Sequence, residues 1–493
     1  MLRLALHLLF TLWIALASIA LAPSAMFGQQ PVRPTAITHV NVIDVVAGAV
    51  RADQTVVLAN GKIAAIGPSP AVEVPREAMV IAAAGEYLIP GLWDMHVHLR
   101  SDSARLGIQL AAENEAMLDL FLPNGVVGIR EMGGDLADSV IRWRDEIHAG
   151  KREGPRILTA GRKIDNDPPA WPGSIGVKTA EEARQAVDLN QGLGADFIKI
   201  YFRNTSPEVL RAVVDEAHRL HLKVTGHKPN NLSLQEFLDS GIDGFQHAEY
   251  LPATPREAFD SLIRERTRRA GTPWALDTNE FNARLSWLED PAEDTRVYER
   301  MAREKIWVTP TLSIEDHVLE HGSRDYESDE HKLYIPPAIW RSWDPKLGRR
   351  KPLDSRAFAL RKATVERWKK DAVAAFKAGV PMTLGTDCGA VNDHEMPGWS
   401  VHEELEALVA AGLTPAEALR LATINAASWR GDTNEGEIAK GKVADLVLLR
   451  SNPLTDIRHA AEIEGVFQSG RHYSRADLDV MLGRAAERVR ILH

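Results

Sequence analysis

The stretch GLWDMHVHL, residues 91–99, decides how the rest of the chain is interpreted. It follows an apolar run and carries two histidines, His96 and His98, with one residue between them. On a β-strand, the side chains of residues i and i+2 leave the same face, so the two imidazoles would stand side by side. Histidine is the commonest protein ligand of divalent transition metals. The pair therefore predicts part of a metal site, and two histidines on the solvated face of an ordinary strand are the alternative.

From residue 91 onward, short apolar runs alternate with mostly helical patterns. The eight runs are residues 91–99, 126–134, 156–161, 195–201, 222–227, 242–247, 306–312 and 380–387. Almost continuously apolar strands are typical of parallel sheets buried on both faces. Eight β/α units predict an α/β fold, a (β/α)8 TIM barrel. Two long connections, residues 251–303 and 313–371, predict short helices and a lid over the site.

Both ends of the chain read as short strands and turns. Residues 36–91 include Asn60-Gly61, a strong hairpin signal, and residues 436–473 return to the same pattern. We therefore expect a small β-sandwich domain built from both chain ends. The predicted domains are a signal peptide over 1–30, the composite β domain over 31–90 and 432–478, the barrel over 91–431 and a C-terminal helix over 479–493.

Composition excludes several classes of protein and of site. The net charge of the 493 residues is −10, which does not suggest a nucleic-acid surface. Cys388 is the single cysteine, so an internal disulfide and a cysteine-rich zinc site are both excluded. Any metal must therefore be held by histidine, carboxylate or a modified lysine.

The N-terminus has the order of a secretory signal. Arg3 precedes an apolar run over residues 4–22, and small residues follow. This order predicts a periplasmic or secreted protein. The apolar run is near the length of a membrane span, so an uncleaved N-terminal anchor is the alternative. The sequence leaves a homo-oligomer open.

Further metal-binding side chains stand at the ends of the predicted barrel strands, where the active sites of such barrels lie. With His96 and His98 they form a set of six, completed by Lys199, His227, His247 and Asp387. Each alone has an ordinary interpretation: a hydrogen-bonded core histidine, a capping aspartate or a lysine that reaches solvent. Their joint placement at five strand ends predicts a metal centre.

Lys199 is the most informative member of this set. A lysine inside a buried strand is costly unless it is paired, and a nearby metal would repel its ammonium. A neutral amine can instead add carbon dioxide and become a carbamate, an anionic ligand able to bridge two cations. This chemistry would explain a lysine where an acid is expected.

These motifs together resemble the amidohydrolase superfamily. The resemblance rests on GLWDMHVHL, ADFIKIY, VTGH, FQHAEY and GTD, with VHEELEALVAAGLTPAEALRLATINAA and GEIAKGKVADLVLL after them, over about residues 36–475. The branch is that of the imidazolonepropionase-like enzymes, which includes binuclear Xaa-Pro and Xaa-Arg dipeptidases. It implies two divalent ions, zinc by default, with His96, His98 and Asp387 on the first, His227 and His247 on the second, and carboxylated Lys199 bridging them. The region after Lys199 departs from the glycine-rich turn of some dipeptidase relatives, which leaves the substrate undetermined.

The implied activity is hydrolysis of a carbon–nitrogen amide bond in a dipeptide or N-acyl amino acid. A metal-bridged hydroxide would attack the acyl carbon, with Asp387 as general base and acid. The alternatives are a mononuclear deaminase or cyclic-amide (imidazolonepropionase-like) hydrolase, and a non-catalytic binding protein on the same fold. Arg130, at the end of the second strand, and Tyr201 are the substrate-binding candidates of this interpretation.

Overall fold

The computed structural model describes residues 33–99, 111–272, 275–288, 290–325, 328–347, 351–389 and 392–492. The predicted signal peptide lies outside these ranges. The strands, in chain order, are β1 (Thr35–Asp44), β2 (Ala49–Ala59), β3 (Lys62–Pro68), β4 (Met79–Ala82), β5 (Tyr87–Pro90), β6 (Leu92–His98), β7 (Val126–Glu131), β8 (Arg156–Thr159), β9 (Ile164–Asn166), β10 (Ile175–Val177), β11 (Ile198–Tyr201), β12 (Val224–Gly226), β13 (Gly244–Gln246), β14 (Trp307–Thr309), β15 (Cys388–Gly389), β16 (Leu446–Leu449), β17 (Ile463–Gln468) and β18 (Arg471–Ser474).

The α-helices, in the same order, are α1 (Ala111–Met117), α2 (Ala137–His148), α3 (Ala180–Leu193), α4 (Pro207–Arg219), α5 (Leu234–Leu238), α6 (Arg256–Arg269), α7 (Thr278–Trp287), α8 (Pro291–Glu304), α9 (Ser313–Glu320), α10 (Pro337–Trp343), α11 (Ser355–Lys377), α12 (Ser400–Ala411), α13 (Pro415–Ala422), α14 (Ile424–Arg430) and α15 (Arg475–Leu492). Helix α15 begins four residues before the predicted start of the C-terminal helix. Within the described ranges no helix combines the length and the apolar character that a bilayer span requires.

Strands from both ends of the chain share one mixed sheet of eight strands, in the order β18-β17-β16-β5-β1-β2-β3 with β4 beside β1. Successive residues of β5 face opposite sides: Leu88 packs into a core of the sheet's own, and Ile89 packs into the main core. The β-sandwich expectation is not confirmed, because these strands join edge to edge as one sheet. The predicted domain boundaries stay a prediction.

The hairpin signal at Asn60-Gly61 is confirmed. Strands β2 and β3 pair antiparallel on either side of it. Asn60 and Gly61 have φ values of 52° and 75°, the left-handed backbone that a two-residue hairpin turn requires.

The middle of the chain is α/β, with two parallel sheets ordered β15-β6-β7-β8 and β10-β9-β11-β12-β13-β14. Strands β6, β7, β8, β11, β12, β13 and β14 fall within seven of the eight predicted apolar runs. Among the described residues, the two sheets do not form one continuous ladder. Single hydrogen bonds link them on one side, as where Asp196 N–H donates to the Thr159 carbonyl at 2.8 Å.

The eighth predicted strand, residues 380–387, is wrong as a ladder strand, and β15 follows it instead. Its backbone hydrogen bonds alternate between two neighbours. Thr383 N–H donates to Val308 O at 3.0 Å, and Asp387 N–H donates to His96 O at 2.8 Å. Pro381 has no N–H to add to either side. The run therefore lies between β14 and β6 without pairing continuously with either.

Helices fill the two long connections. Residues 251–303 hold α6, α7 and most of α8, and residues 313–371 hold α9, α10 and part of α11. Helices α6 and α7 share a small apolar core of their own, formed by Leu262, Leu276 and Phe281. The helix pair is thus packed independently of the main core, over the part of the chain that carries His227.

Candidate active site

Strand β6 and the run before β15 bring the first three predicted ligands together. His96 and His98 leave the same face of β6, and their Nε2 atoms lie 3.2 Å apart. Asp387 Oδ1 lies 3.1 Å from His96 Nε2 and 2.9 Å from His98 Nε2. All three residues are buried. Three potential ligand atoms therefore form a triangle with edges near 3 Å.

The ends of β12 and β13 supply the second pair. His227 Nε2 and His247 Nε2 lie 3.0 Å apart. The other nitrogen of each ring has an oxygen partner, with His247 Nδ1 2.7 Å from Thr311 Oγ1 and His227 Nδ1 3.3 Å from Tyr250 Oη. Metal-binding histidines usually have such a partner on the nitrogen that does not bind the metal, because it fixes the tautomer and the ring orientation.

The two groups are adjacent. Potential ligand atoms of His96, His247 and Asp387 all lie within 4.8 Å of one another. Lys199 is fully buried on β11, and its Nζ donates to Gln246 Oε1 at 2.5 Å. The structure therefore brings all six predicted residues to one place, with Lys199 near enough to affect the neighbouring histidines.

The electrostatics of the cluster favour neutral histidines and an ionised aspartate. Burial lowers the pKa of His96 to about 3 and that of His247 to about 4, and the Lys199 charge acts in the same direction. Burial would raise the pKa of Asp387, but His96 and His98 hold it well below its usual value. Neutral imidazole and ionised carboxylate are the forms that bind a metal.

The arrangement fits divalent cations. Asp387 Oδ1 is buried and close to two nitrogens, yet it makes no hydrogen bond among the described residues. Ligands about 2.0–2.1 Å from a tetrahedral ion would lie about 3.4 Å from each other. The observed edges of 2.9–3.2 Å are close to that spacing. His96, His98 and Asp387 can hold one cation, and His227 and His247 can contribute to a second beside Lys199.

The backbone around the ligands is strained. His247 has φ 74° and Asp387 has φ 64°, and Thr311, which supports His247, has φ 48°. Residues other than glycine adopt such angles rarely and at a cost, and these angles cluster at functional sites. Gly385 lets the Asp387 segment approach β6, because a Cβ at Gly385 would lie 2.7 Å from His96 N.

Asp94 has a role at the site that the sequence did not single out. It is fully buried two residues before His96, and Thr386 Oγ–H donates to its Oδ2 at 2.7 Å. Its Oδ1 accepts from the Thr386 and His96 N–H groups, each at 3.1 Å. Burial raises the pKa of Asp94 to about 7. Asp94 thus fixes the Asp387 segment against β6, and its position inside an apolar run was the available signal.

The two substrate-binding candidates lie in different places. Arg130 is buried, donates from Nε to Met95 O at 2.7 Å, and stacks 4.4 Å from the centroid of the Trp429 ring. This placement favours a structural role for Arg130. Tyr201 lies beside the cluster, with its ring centroid 4.4 Å from that of His227.

A cavity of about 580 Å³ opens next to the second pair of histidines. Its lining includes Tyr201, His227 and Tyr250 together with Ile263 and Arg266 of α6. The helices of the first long connection therefore border a space that reaches the candidate metal ligands.

A second group of acids and histidine lies nearby. Potential ligand atoms of His317, Glu395 and Glu403 also lie within 4.8 Å of one another. His317 Nδ1 is 3.0 Å from Glu395, and its Nε2 is 3.5 Å from Glu403. Burial would lower the pKa of His317, but the two carboxylates raise it to about 10. This group holds its own cation, the imidazolium.

Comparison with known proteins places the site in a family. The sequence matches the Amidohydrolase family over residues 87–472. The chain is 24% identical to the ochratoxinase of Aspergillus niger over 435 residues, covering 77% of this chain and 73% of that protein. Its structure resembles that of a Bifidobacterium longum protein assigned as a prolidase, with a TM-score of 0.65 and 27% sequence identity. The match covers 92% of this chain and 99% of that one.

Two further solved structures share the fold. A Xaa-Pro dipeptidase with bound methionine gives a TM-score of 0.64 at 21% identity, with coverage of 90% of this chain and all of that one. The bottromycin amidohydrolase gives a TM-score of 0.66 at 23% identity, with coverage of 93% of this chain and 91% of that one. The family match spans most of the chain and includes every residue of the candidate site, so this protein belongs to the amidohydrolase family and is a hydrolase that acts on carbon–nitrogen bonds.

Proposed function

We propose that this protein is a binuclear metal-dependent amidohydrolase that cleaves the amide bond of a dipeptide or N-acyl amino acid. The observation that carries the proposal is the placement of five potential metal ligands in two adjacent groups beside the buried Lys199. Prolidase and dipeptidase relatives support the substrate class. The two parallel sheets, joined by hydrogen bonds on both sides of residues 380–387, support a (β/α)8 barrel as the scaffold.

In this proposal His96, His98 and Asp387 would hold one zinc ion and His227 and His247 the other, and Lys199 as a carbamate would be a ligand of both. Bound divalent cations would supply Lewis-acid polarisation of the carbonyl and a water of lowered pKa. Asp387 is ionised and would accept the proton of the attacking water and deliver it to the leaving amine. Burial lowers the pKa values of His96, His227 and His247, which keeps these three side chains neutral and able to bind metal.

A mononuclear deaminase or cyclic-amide hydrolase is the second candidate. The observation that favours it is the bond from Lys199 Nζ to Gln246 Oε1, which gives an unmodified lysine a structural partner. Gln246 is in turn held by its amide, which donates to Thr225 Oγ1. In that case Lys199 would orient neighbours instead of binding metal.

Metal analysis with a substrate panel tests the proposal. We expect two equivalents of zinc per wild-type chain, hydrolysis of dipeptides or N-acyl amino acids, and loss of one equivalent and most activity in Lys199→Ala. Lys163→Ala, which removes another buried lysine outside the ligand set, is the matched control and should keep both ions. One equivalent in the wild type and full activity in Lys199→Ala would overturn the binuclear version and favour the mononuclear enzyme.

We also propose that the protein is exported to the periplasm or beyond. The order of charged, apolar and small residues at the N-terminus supports export. N-terminal sequencing of the mature protein from fractionated cells is the test. A first residue near 30 in the soluble fraction is expected, and an intact N-terminus in the membrane fraction would support the anchor instead.

A further inference from the structure

Arg266 is a partly buried cation in the wall of the cavity. Its guanidinium carbon lies 4.1 Å from the centroid of the Phe281 ring, which holds it between α6 and α7. Among the described residues no carboxylate lies within ion-pair distance of Arg266. Of the other arginines of α6, Arg256 is paired with Asp260 at 2.9 Å and Arg269 with Glu265 at 2.6 Å, whereas Arg264 and Arg268 are exposed to solvent.

Lys228 adds a second charge to the same wall. It directly follows His227, is 7% exposed, and donates from Nζ to Leu232 O at 2.9 Å. The described residues include no carboxylate at ion-pair distance from it. Arg203 is a third cation at the cavity, and the part of the lining that the structure describes includes no aspartate or glutamate. The cavity is therefore positive although the chain as a whole carries a net charge of −10.

A partly buried cation is costly unless an anion compensates for its lost hydration. Arginine presents a planar fork that matches a carboxylate with two parallel hydrogen bonds. The stacking of Arg266 on Phe281 restricts the guanidinium before any ligand arrives, which reduces the entropy lost on binding. A free carboxylate on a small molecule is the ligand that these features suit.

We propose that this cavity binds a carboxylate of the substrate through Arg266, with Lys228 adding to the positive potential, so that the enzyme selects amides with a free carboxylate. The inference rests on the proposed function and extends it to a specificity-determining residue. His227 and Tyr201 lie in the same cavity, so a carboxylate at Arg266 and an amide at the metal centre can belong to one molecule. Residues of α6 and α7 would therefore determine which substrates bind, whereas residues at the strand ends would carry out the hydrolysis.

The test compares substrates that differ only in charge. N-acetyl L-amino acids and Xaa-Pro dipeptides are each paired with their C-terminal carboxamide, and the zinc-loaded enzyme is assayed on both members. We expect Arg266→Gln to lower kcat/KM for the carboxylates by about 10- to 100-fold, mainly through KM, and to leave the carboxamides unchanged. Arg266→Lys should recover part of the loss, because it keeps the charge but not the fork.

Arg268→Gln is the matched control. It removes the same charge from the same helix at an exposed position outside the cavity, and it should leave both substrate sets unchanged. An equal fall on carboxylates and carboxamides in Arg266→Gln, or no fall on either, overturns the inference.

Calorimetric binding of the same pairs separates this inference from the proposed function. Tighter binding of the carboxylates, lost in Arg266→Gln, supports the carboxylate pocket even where neither member is hydrolysed, an outcome that would count against the proposed function alone. Hydrolysis of both members at equal rates with equal affinities would overturn the carboxylate pocket and leave the amidohydrolase proposal intact.

Discussion

Two buried clusters of histidine and carboxylate lie at the same end of the sheets and behave in opposite ways. In the candidate metal centre, four histidines share one carboxylate, and burial lowers the pKa of His96 to about 3. In the second cluster, one histidine lies between two carboxylates, and the pKa of His317 rises to about 10. Both clusters combine imidazole and carboxylate groups, but the number of histidines per carboxylate and the orientation of the rings differ.

The difference shows what distinguishes a site for an external cation from an ion pair that is already complete. In the metal centre, the histidine nitrogens face one another in two pairs at about 3 Å, and the single carboxylate of Asp387 faces only one of these pairs. In the second cluster each nitrogen of His317 faces an oxygen, so the imidazolium supplies the positive charge itself. Proximity of histidines and acids alone therefore does not identify a metal site.

The largest expected effect is that of removing the single carboxylate from the metal centre. Asp387→Asn keeps the shape but loses the charge and the proton acceptor, so kcat should fall at least about 1000-fold. Turnover of the most rapidly cleaved substrate of the panel measures it. Glu403→Gln removes one carboxylate from the second cluster and should retain turnover within about tenfold. Comparable losses in the two variants would contradict the division between the clusters.

Removing the histidine of the second cluster should affect stability and leave metal content unchanged. His317→Gln leaves the buried Glu395 without the imidazolium 3.0 Å away, which costs about 3–5 kcal/mol for a broken buried pair. Denaturant unfolding measures the loss. Zinc analysis of the same sample is the control, and a fall in bound zinc would show that the second cluster also binds metal.

The pH dependence of stability should have opposite signs in the two clusters. The folded-state pKa of His317, about 10, lies above its unfolded value near 6.5, so its contribution is complete below pH 6.5 and is lost as the pH rises towards 10. In metal-free protein, the lowered pKa of His96, about 3, makes stability fall as the pH drops below 6.5. Unfolding free energies measured between pH 5 and 10 test both effects. His317→Gln should remove the loss of stability above pH 6.5 and leave the loss below pH 6.5 unchanged. A variant that loses as much stability above pH 6.5 as the wild type would contradict the assignment.

The smallest expected effect concerns the support of a single ligand. Thr311→Val removes the 2.7 Å contact to His247 Nδ1 and should weaken zinc binding by about 10- to 100-fold. Competition with a chelator measures the affinity. Thr364→Val, a buried threonine of α11 that bonds within its own helix, is the matched control and should leave it unchanged. Equal affinities in both variants would show that the His247 ring needs no support from Thr311.

The sequence predicted the elements that depend on local pattern. The apolar runs and the hairpin turn at Asn60-Gly61 follow from residue types a few positions apart.

The parts that the sequence could not supply depend on distant residues or on backbone strain. Asp94 was passed over because its partner Thr386 is 292 residues away. The contacts of Arg130 with the Met95 carbonyl and the Trp429 ring cannot be inferred from spacing either. Residues 380–387 read as a strand because periodicity cannot show that their hydrogen bonds alternate between two neighbours.

The placement of β5 between β1 and β16 has a consequence for biosynthesis. Residues 87–90 lead directly into β6, yet one edge of β5 is completed only by residues 446–449. As the chain leaves the ribosome, this edge stays unpaired through the synthesis of more than 350 residues, a template for wrong pairing with another nascent chain. The sheet that leads into the strand of His96 and His98 is therefore completed only after all six candidate ligands have been synthesised.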